Sequence, residues 1–140
     1  MTKSDYCDSI DYVSSLFLKG IHMEYKIFES EMKVMELIWE NEPVSAKEIS
    51  LLASERIGWN KNTTYTVIKK LEAKGYIKRS EPGFICTSLI SRGEVERSEA
   101  RGLVKRIFGG SKKALFSALL DDEDLTDAEL DELREMIKNR

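Results

Sequence analysis

The stretch NKNTTYTVIKKLEAKGYIKR, residues 60–79, governs the reading of the rest of the chain. Within it Thr64, Val67, Ile68 and Leu71 recur at the i, i+3, i+4, i+7 spacing of one helical face. At about 100° per residue, Asn62, Thr66 and Lys69 point the opposite way. Thr63 and Tyr65 lie on the two flanks near the N-terminal end, with Lys70 beside Thr63. Asn60 is the expected N-cap and Gly75 the expected C-cap of a helix over about residues 61–74. The outer face then carries an amide, hydroxyls, a phenol and ammonium groups. Six basic residues (Lys61, Lys69, Lys70, Lys74, Lys78, Arg79) accompany one acid, Glu72, in a protein whose net charge is −3.

Upstream, ESEMKVMELIWEN (29–41) predicts a helix with Val34, Leu37 and Ile38 as its stripe and Met35 and Trp39 beside them. Glu42-Pro43 ends it. Ser45-x-x-Glu48 is a capping-box pattern, in which hydroxyl and carboxylate reciprocally satisfy free backbone N–H groups. It opens a second helix with Ile49, Leu52 and Ala53 on its buried side, and Arg56-Ile57-Gly58-Trp59 reads as a turn. Downstream, Tyr76–Ser80 and Phe84–Ser88 read as two strands joined by Glu81-Pro82-Gly83, a pairing of Pro and Gly that suits a type II turn. Helix, helix, helix, hairpin is the element order of a winged helix-turn-helix.

Three more helical segments follow, at about 91–108, 112–121 and from Thr126 onward. Thr126-x-x-Glu129 is another capping box, and Leu125 with Leu130 can form a hydrophobic staple around it. Their apolar stripes exceed what a winged domain can cover, so they are expected to pack on a second copy of the chain. The residues expected at that interface are Leu103, Ile107, Phe108, Leu115, Phe116, Leu119, Leu130, Leu133 and Ile137. The fold class is therefore mostly α with a small β-hairpin wing. Residues 25–90 are expected to form a winged-helix DNA-binding domain and residues 91–140 a helical dimerisation region. Residues 1–24 are read as an extension, either a short amphipathic turn or, preferably, a poorly ordered tail, and Met23 offers an alternative start.

Charge is patterned along the chain. Residues 26–55 are net −4, 56–79 net +6, 91–113 net +4 and 120–140 net −6. A basic patch can bind a polyanion while acidic segments keep the remainder soluble. The second basic block, Arg92, Arg97, Arg101, Lys105 and Arg106, either touches DNA or, preferably, pairs with the acidic C-terminal helix of a partner subunit.

The major groove of B-DNA admits a helix whose N-terminal part faces base edges. Asn60, Lys61, Asn62, Thr63, Tyr65 and Thr66 make up that part. Asn62 has the amide to pair with adenine, and the threonines can donate, accept or lay a methyl on thymine. Lys69 and Lys70 sit a turn further on, where phosphate contact is expected, and Lys78 and Arg79 on the first wing strand suit the DNA backbone or minor groove.

Other function classes are excluded by what the sequence lacks. There is no Ser/His/Asp, Cys/His or Gly-rich phosphate arrangement, so an enzyme is not expected. Cys7 and Cys86 make neither a disulfide framework nor a metal spacing, and the single His22 has no obvious partners, so no metal or cofactor is expected. Cys86 reads as a small buried apolar residue rather than a thiol sensor. No apolar run approaches the ~18 residues of a membrane span, and the acidic N-terminus is no secretory signal, so the expected compartment is the cytoplasm.

Residues 26–140 resemble the penicillinase repressor family of bacterial winged-helix regulators. The resemblance is carried by SEMKVMELIW (30–39), TTYTVIKKLEAKGYIKR (63–79), and RIFGGSKKALFSALL with LTDAELDELREMI within 106–137. It implies a homodimer that grips an inverted-repeat operator and represses by occupying promoter DNA. It also implies a membrane metalloprotease sensor as a further partner, which releases the repressor by cleavage. The family's scissile Asn-Phe pair would fall near Arg101-Gly102, and this sequence does not have it. It ends MIKNR, without the cysteine cluster of the copper-responsive members. The competing reading, in a different class, is a winged helix used as a protein-interaction module without sequence-specific DNA binding.

Overall fold

A computed structural model of the protein describes residues 24–140, so the readings made of residues 1–23 lie outside the described residues. The chain divides into two compact units, one running through Glu99 and the other Ala100–Arg140.

The first unit begins with α1 (Glu29–Asn41). Val34, Met35, Leu37 and Ile38 are buried along it, as their spacing predicts. Its first turn is closed by Glu31, whose carboxylate accepts from the Phe28 N–H at 2.9 Å. After Pro43 comes a two-residue strand, β1 (Val44–Ser45), and then α2 (Ala46–Arg56). Ser45 caps α2 by accepting from the Glu48 N–H at 3.1 Å, the first half of the expected capping box. Gly58, at φ +81°, turns the chain out of α2 and into α3 (Lys61–Ala73).

Asn60 caps α3 as expected, its Oδ1 accepting from the Thr63 N–H at 2.8 Å. The helix stops one residue short of the predicted end. Lys74 is the C-cap, and Gly75 follows at φ +79°, the left-handed position where a Cβ is disfavoured. Thr64, Val67, Ile68 and Leu71 are all buried, and α3 packs on both α1 and α2. Full burial of each such aliphatic side chain stabilises the fold by about 1.5–3 kcal/mol.

The hairpin consists of β2 (Ile77–Ser80) and β3 (Ile85–Ser88), paired antiparallel with Ser80 opposite Ile85. Two sequence expectations are corrected here. β1 adds a third strand, Val44 opposite Cys86, so the sheet order is β1-β3-β2. A two-residue strand has no periodicity of its own, and its pairing partner lies some forty residues away. The connection is also longer than Glu81-Pro82-Gly83. Phe84, expected to open the second strand, stands outside it at φ +51°. Its N–H donates to Glu81 Oε2 at 3.1 Å and its carbonyl accepts from the Ala46 N–H at 2.9 Å, so both backbone groups are taken by partners outside the ladder.

The last helices are α4 (Arg92–Ile107), α5 (Lys112–Leu120) and α6 (Asp127–Lys138), each within a residue or two of the predicted bounds. Up to Glu99, α4 is fastened to the first unit. Val95 joins its core, and Ser98 Oγ accepts from the Tyr25 N–H at 2.8 Å. Thr126 caps α6 by accepting from the Glu129 N–H at 3.2 Å. Its hydroxyl donates to the Glu129 carboxylate, so the carboxylate does not make the reciprocal half of a capping box. Neither α5 nor α6 has a buried residue.

Candidate nucleic-acid interface

The fold turns one face of α3 inward and leaves the other bare. Asn60, Lys61, Asn62, Thr63, Thr66, Lys69 and Lys70 are exposed, and Tyr65 is half-buried on the flank. The side-chain amide of Asn62 has no hydrogen-bond partner among the described residues, and its backbone carbonyl accepts from the Thr66 hydroxyl at 2.8 Å. Thr66 thus presents its methyl group more freely than its proton. Asn60 is already committed through Oδ1 to the helix cap, which leaves its NH₂ for an outside acceptor.

Part of the positive charge of residues 56–79 is paired with carboxylates. Arg56 is bonded to Glu40 at 2.8 Å. Lys74 turns inward to the buried Glu31 at 2.7 Å, donates to the Lys26 carbonyl at 3.2 Å and covers the Phe28 ring at 4.6 Å. Arg79 lies 3.3 Å from Glu72 and 3.7 Å from Glu81, with its guanidinium 4.5 Å from the Phe84 ring centre. The Glu72 contact is an ion pair without hydrogen-bond alignment, since that carboxylate oxygen is buried and unbonded. Lys61, Lys69, Lys70 and Lys78 are left, all exposed and none in an ion pair among the described residues. Lys61 sits 5.6 Å from the Tyr65 ring centre. Three of these lysines are on α3 with the exposed amide and hydroxyls, and the fourth is on β2.

The structure also engages residues that sequence reasoning did not assign to the site. Phe84 meets Tyr65 edge to face, with centroids 6.0 Å apart, and thereby joins the wing to α3. No local signal marks this, because the partners come from two elements that the fold brings together. Cys86 is fully buried, as its small apolar reading requires, and its thiol is pushed up to about 11 by burial first and by Glu72 second. Within the second basic block, Arg92 stacks 5.0 Å from the Trp39 ring centre and lies 3.8 Å from Glu36, so it braces α4 against α1.

In the second unit Leu103, Ile107, Phe116, Leu119 and Ile137 are exposed, together with Leu120 and Met136. Phe108, Leu115, Leu130 and Leu133 are half-buried. Leu119, Leu125, Leu133 and Met136 line an open groove of about 370 Å³ rimmed by Asp122, Asp124, Glu129 and Glu132. Among the described residues no cluster of His, Cys, Asp or Glu side chains is arranged to hold a metal ion. None of their helices is long and apolar enough to cross a membrane.

Residues 27–139 match the family model described as penicillinase repressor. The chain belongs to the penicillinase repressor family. This family consists of transcriptional repressors, which are not enzymes. The methicillin resistance regulatory protein MecI of Mammaliicoccus sciuri is 26% identical to this repressor over 118 residues, spanning 83% of this chain and 96% of that protein. The penicillinase repressor of Staphylococcus aureus is 29% identical over 118 residues, spanning 83% of this chain and 94% of that protein. Among solved structures, the DNA-binding domain of the repressor BlaI aligns with a TM-score of 0.47 at 25% identity, covering 51% of this chain and 93% of that one.

Proposed function

We propose that this repressor acts as a homodimer that binds an inverted-repeat operator, with α3 of each subunit in the major groove. The observation that carries the reading is the two-faced character of α3. An apolar face fixes it to α1 and α2, and a bare polar face carries Asn62, Thr63, Tyr65 and Thr66, with four exposed lysines on α3 and β2 that form no ion pair among the described residues. In this reading residues 25–90 are the DNA-binding domain, and residues 91–140 supply the dimer interface through the exposed leucines, isoleucines and phenylalanines of α4, α5 and α6. Asn60 and Lys61 stand at the helix mouth. Lys69, Lys70 and Lys78 hold phosphates. The cytoplasm is the compartment where such DNA is met. Release by a membrane metalloprotease sensor completes the cycle that the family resemblance implies.

Binding to a duplex should fall steeply with salt, because each neutralised phosphate releases condensed counterions. Three phosphate-holding lysines per subunit, in a dimer, give a log–log slope of about −5 at about −0.9 per phosphate. The measurement is fluorescence anisotropy on operator and random duplexes across a salt series. In it Asn62→Ala should lower discrimination between them by about 1–3 kcal/mol. Lys69→Ala should weaken both duplexes alike. A flat salt response, or no binding at low salt, would leave the protein-interaction reading in its place.

A further inference from the structure

Arg79 and Phe84 form one connected assembly with the recognition helix. The Arg79 guanidinium lies 4.5 Å from the Phe84 ring centre, and the Phe84 ring meets the Tyr65 ring edge to face at 6.0 Å. The Lys61 ammonium then lies 5.6 Å from the Tyr65 ring centre. Cation, ring, ring, cation thus runs from the wing to the first turn of α3. Both ends of the Phe84 peptide are held, by Glu81 and by Ala46, in a left-handed conformation that a phenylalanine seldom adopts. A non-glycine residue is kept there only where its surroundings over-determine it. Arg79 meanwhile faces two carboxylates, Glu72 on α3 at 3.3 Å and Glu81 at the wing tip at 3.7 Å. Two carboxylates, at 3.3 Å and 3.7 Å, offset the charge that this guanidinium would offer a phosphate.

We propose that Arg79 and Phe84 are positioning residues: they set the angle at which Tyr65 meets the operator, and Arg79 is not itself a phosphate contact. The proposal rests on the functional reading above and deepens it, because it divides the basic residues into those that hold DNA and one that holds the wing to the helix. Tyr65 becomes a specificity-determining residue whose hydroxyl reaches a base edge, and Phe84 acts through it without touching DNA.

The test uses the full-length protein and duplexes carrying each single base-pair change in the operator. Tyr65→Phe, which keeps the ring and removes the hydroxyl, should cost about ten-fold in discrimination at one base pair of each half-site. Phe84→Leu should lose discrimination at that same base pair, and it should add little when combined with Tyr65→Phe, since coupled residues are not additive. Arg79→Gln should leave the salt slope as in the parent, whereas Lys69→Ala should flatten it by about 0.9 for each subunit. In the free protein, Phe84→Leu should shift the aromatic proton resonances of Tyr65 through loss of the ring current, and Arg79→Gln should shift them less. If Phe84→Leu fails to fold, Arg79→Gln carries the test alone through its slope and its base-pair profile. An Arg79→Gln slope flattened as much as that of Lys69→Ala overturns the proposal. So does a discrimination profile that Tyr65→Phe or Phe84→Leu leaves unchanged. A parent protein whose binding ignores salt overturns the functional reading itself, and it is told apart because it is seen before any substitution is made.

Discussion

At the scale of single residues, the protein separates polar groups that serve the fold from those that face outward. Cys86 belongs wholly to the fold. It sits on β3 opposite Val44 and Arg79, with no exposed surface. Burial raises its thiol from 9.0 to about 11, Glu72 adding to the rise and Arg79 opposing it. The unfolded chain ionises this thiol first, so its contribution to stability is fully present below pH 9 and is lost as pH climbs towards 11. The urea midpoints of the parent and of Cys86→Ala should therefore converge as pH is raised from 8 to 11, while their separation stays constant between pH 6 and 8. Tyr25, raised to about 12 by burial and by the Glu94 carboxylate, makes the same kind of contribution at higher pH in both proteins and does not disturb the comparison.

At the scale of elements, α3 was the most legible feature of the sequence. Its apolar positions recur with a single period, and a residue that caps by itself precedes it. Asn60 at the cap and Thr64, Val67, Ile68 and Leu71 in the core stand where spacing alone put them. Asn60→Ala removes the acceptor for the Thr63 N–H and should cost about 1 kcal/mol in urea denaturation, with Asn60→Ser recovering most of it. What the sequence left hidden depends on partners far along the chain. β1 exists because Val44 and Ser45 find β3, and Phe84 leaves its strand because Ala46, Glu81 and Tyr65 claim its carbonyl, its N–H and its ring. The inward turn of Lys74 could not be read locally either. Its partner, Glu31, lies 43 residues earlier in the chain and is buried in the first turn of α1. Thus α3 was readable as an element, whereas the charge around it could be read only after the fold had shown which cations are paired.

At the scale of the whole molecule, the second unit carries apolar surface out of proportion to what it buries. Ile107, Phe116, Leu119, Met136 and Ile137 are each more than half exposed, and among the residues of this unit only Val104 is buried. Under the proposed function this surface closes on its counterpart in a second copy. Deleting residues 111–140 should then give a monomer in sedimentation equilibrium, with operator affinity weaker by about 100-fold or more through loss of the tethered second half-site. A truncated chain that still sediments as a dimer would move the interface elsewhere.

The pairing of Arg56, Lys74 and Arg79 with carboxylates bears on how such a protein would travel along a chromosome. Sequence-independent attraction to DNA grows with the number of cations that reach the backbone, and here three of the seven bases between residues 56 and 79 are held back by Glu40, Glu31, Glu72 and Glu81. Fewer gripping charges mean shorter dwell times on irrelevant sequence and faster hopping between segments. Under the proposed function, occupancy of the correct site would then depend more on the amide, phenol and hydroxyls at the tip of the helix than on bulk attraction to the polymer.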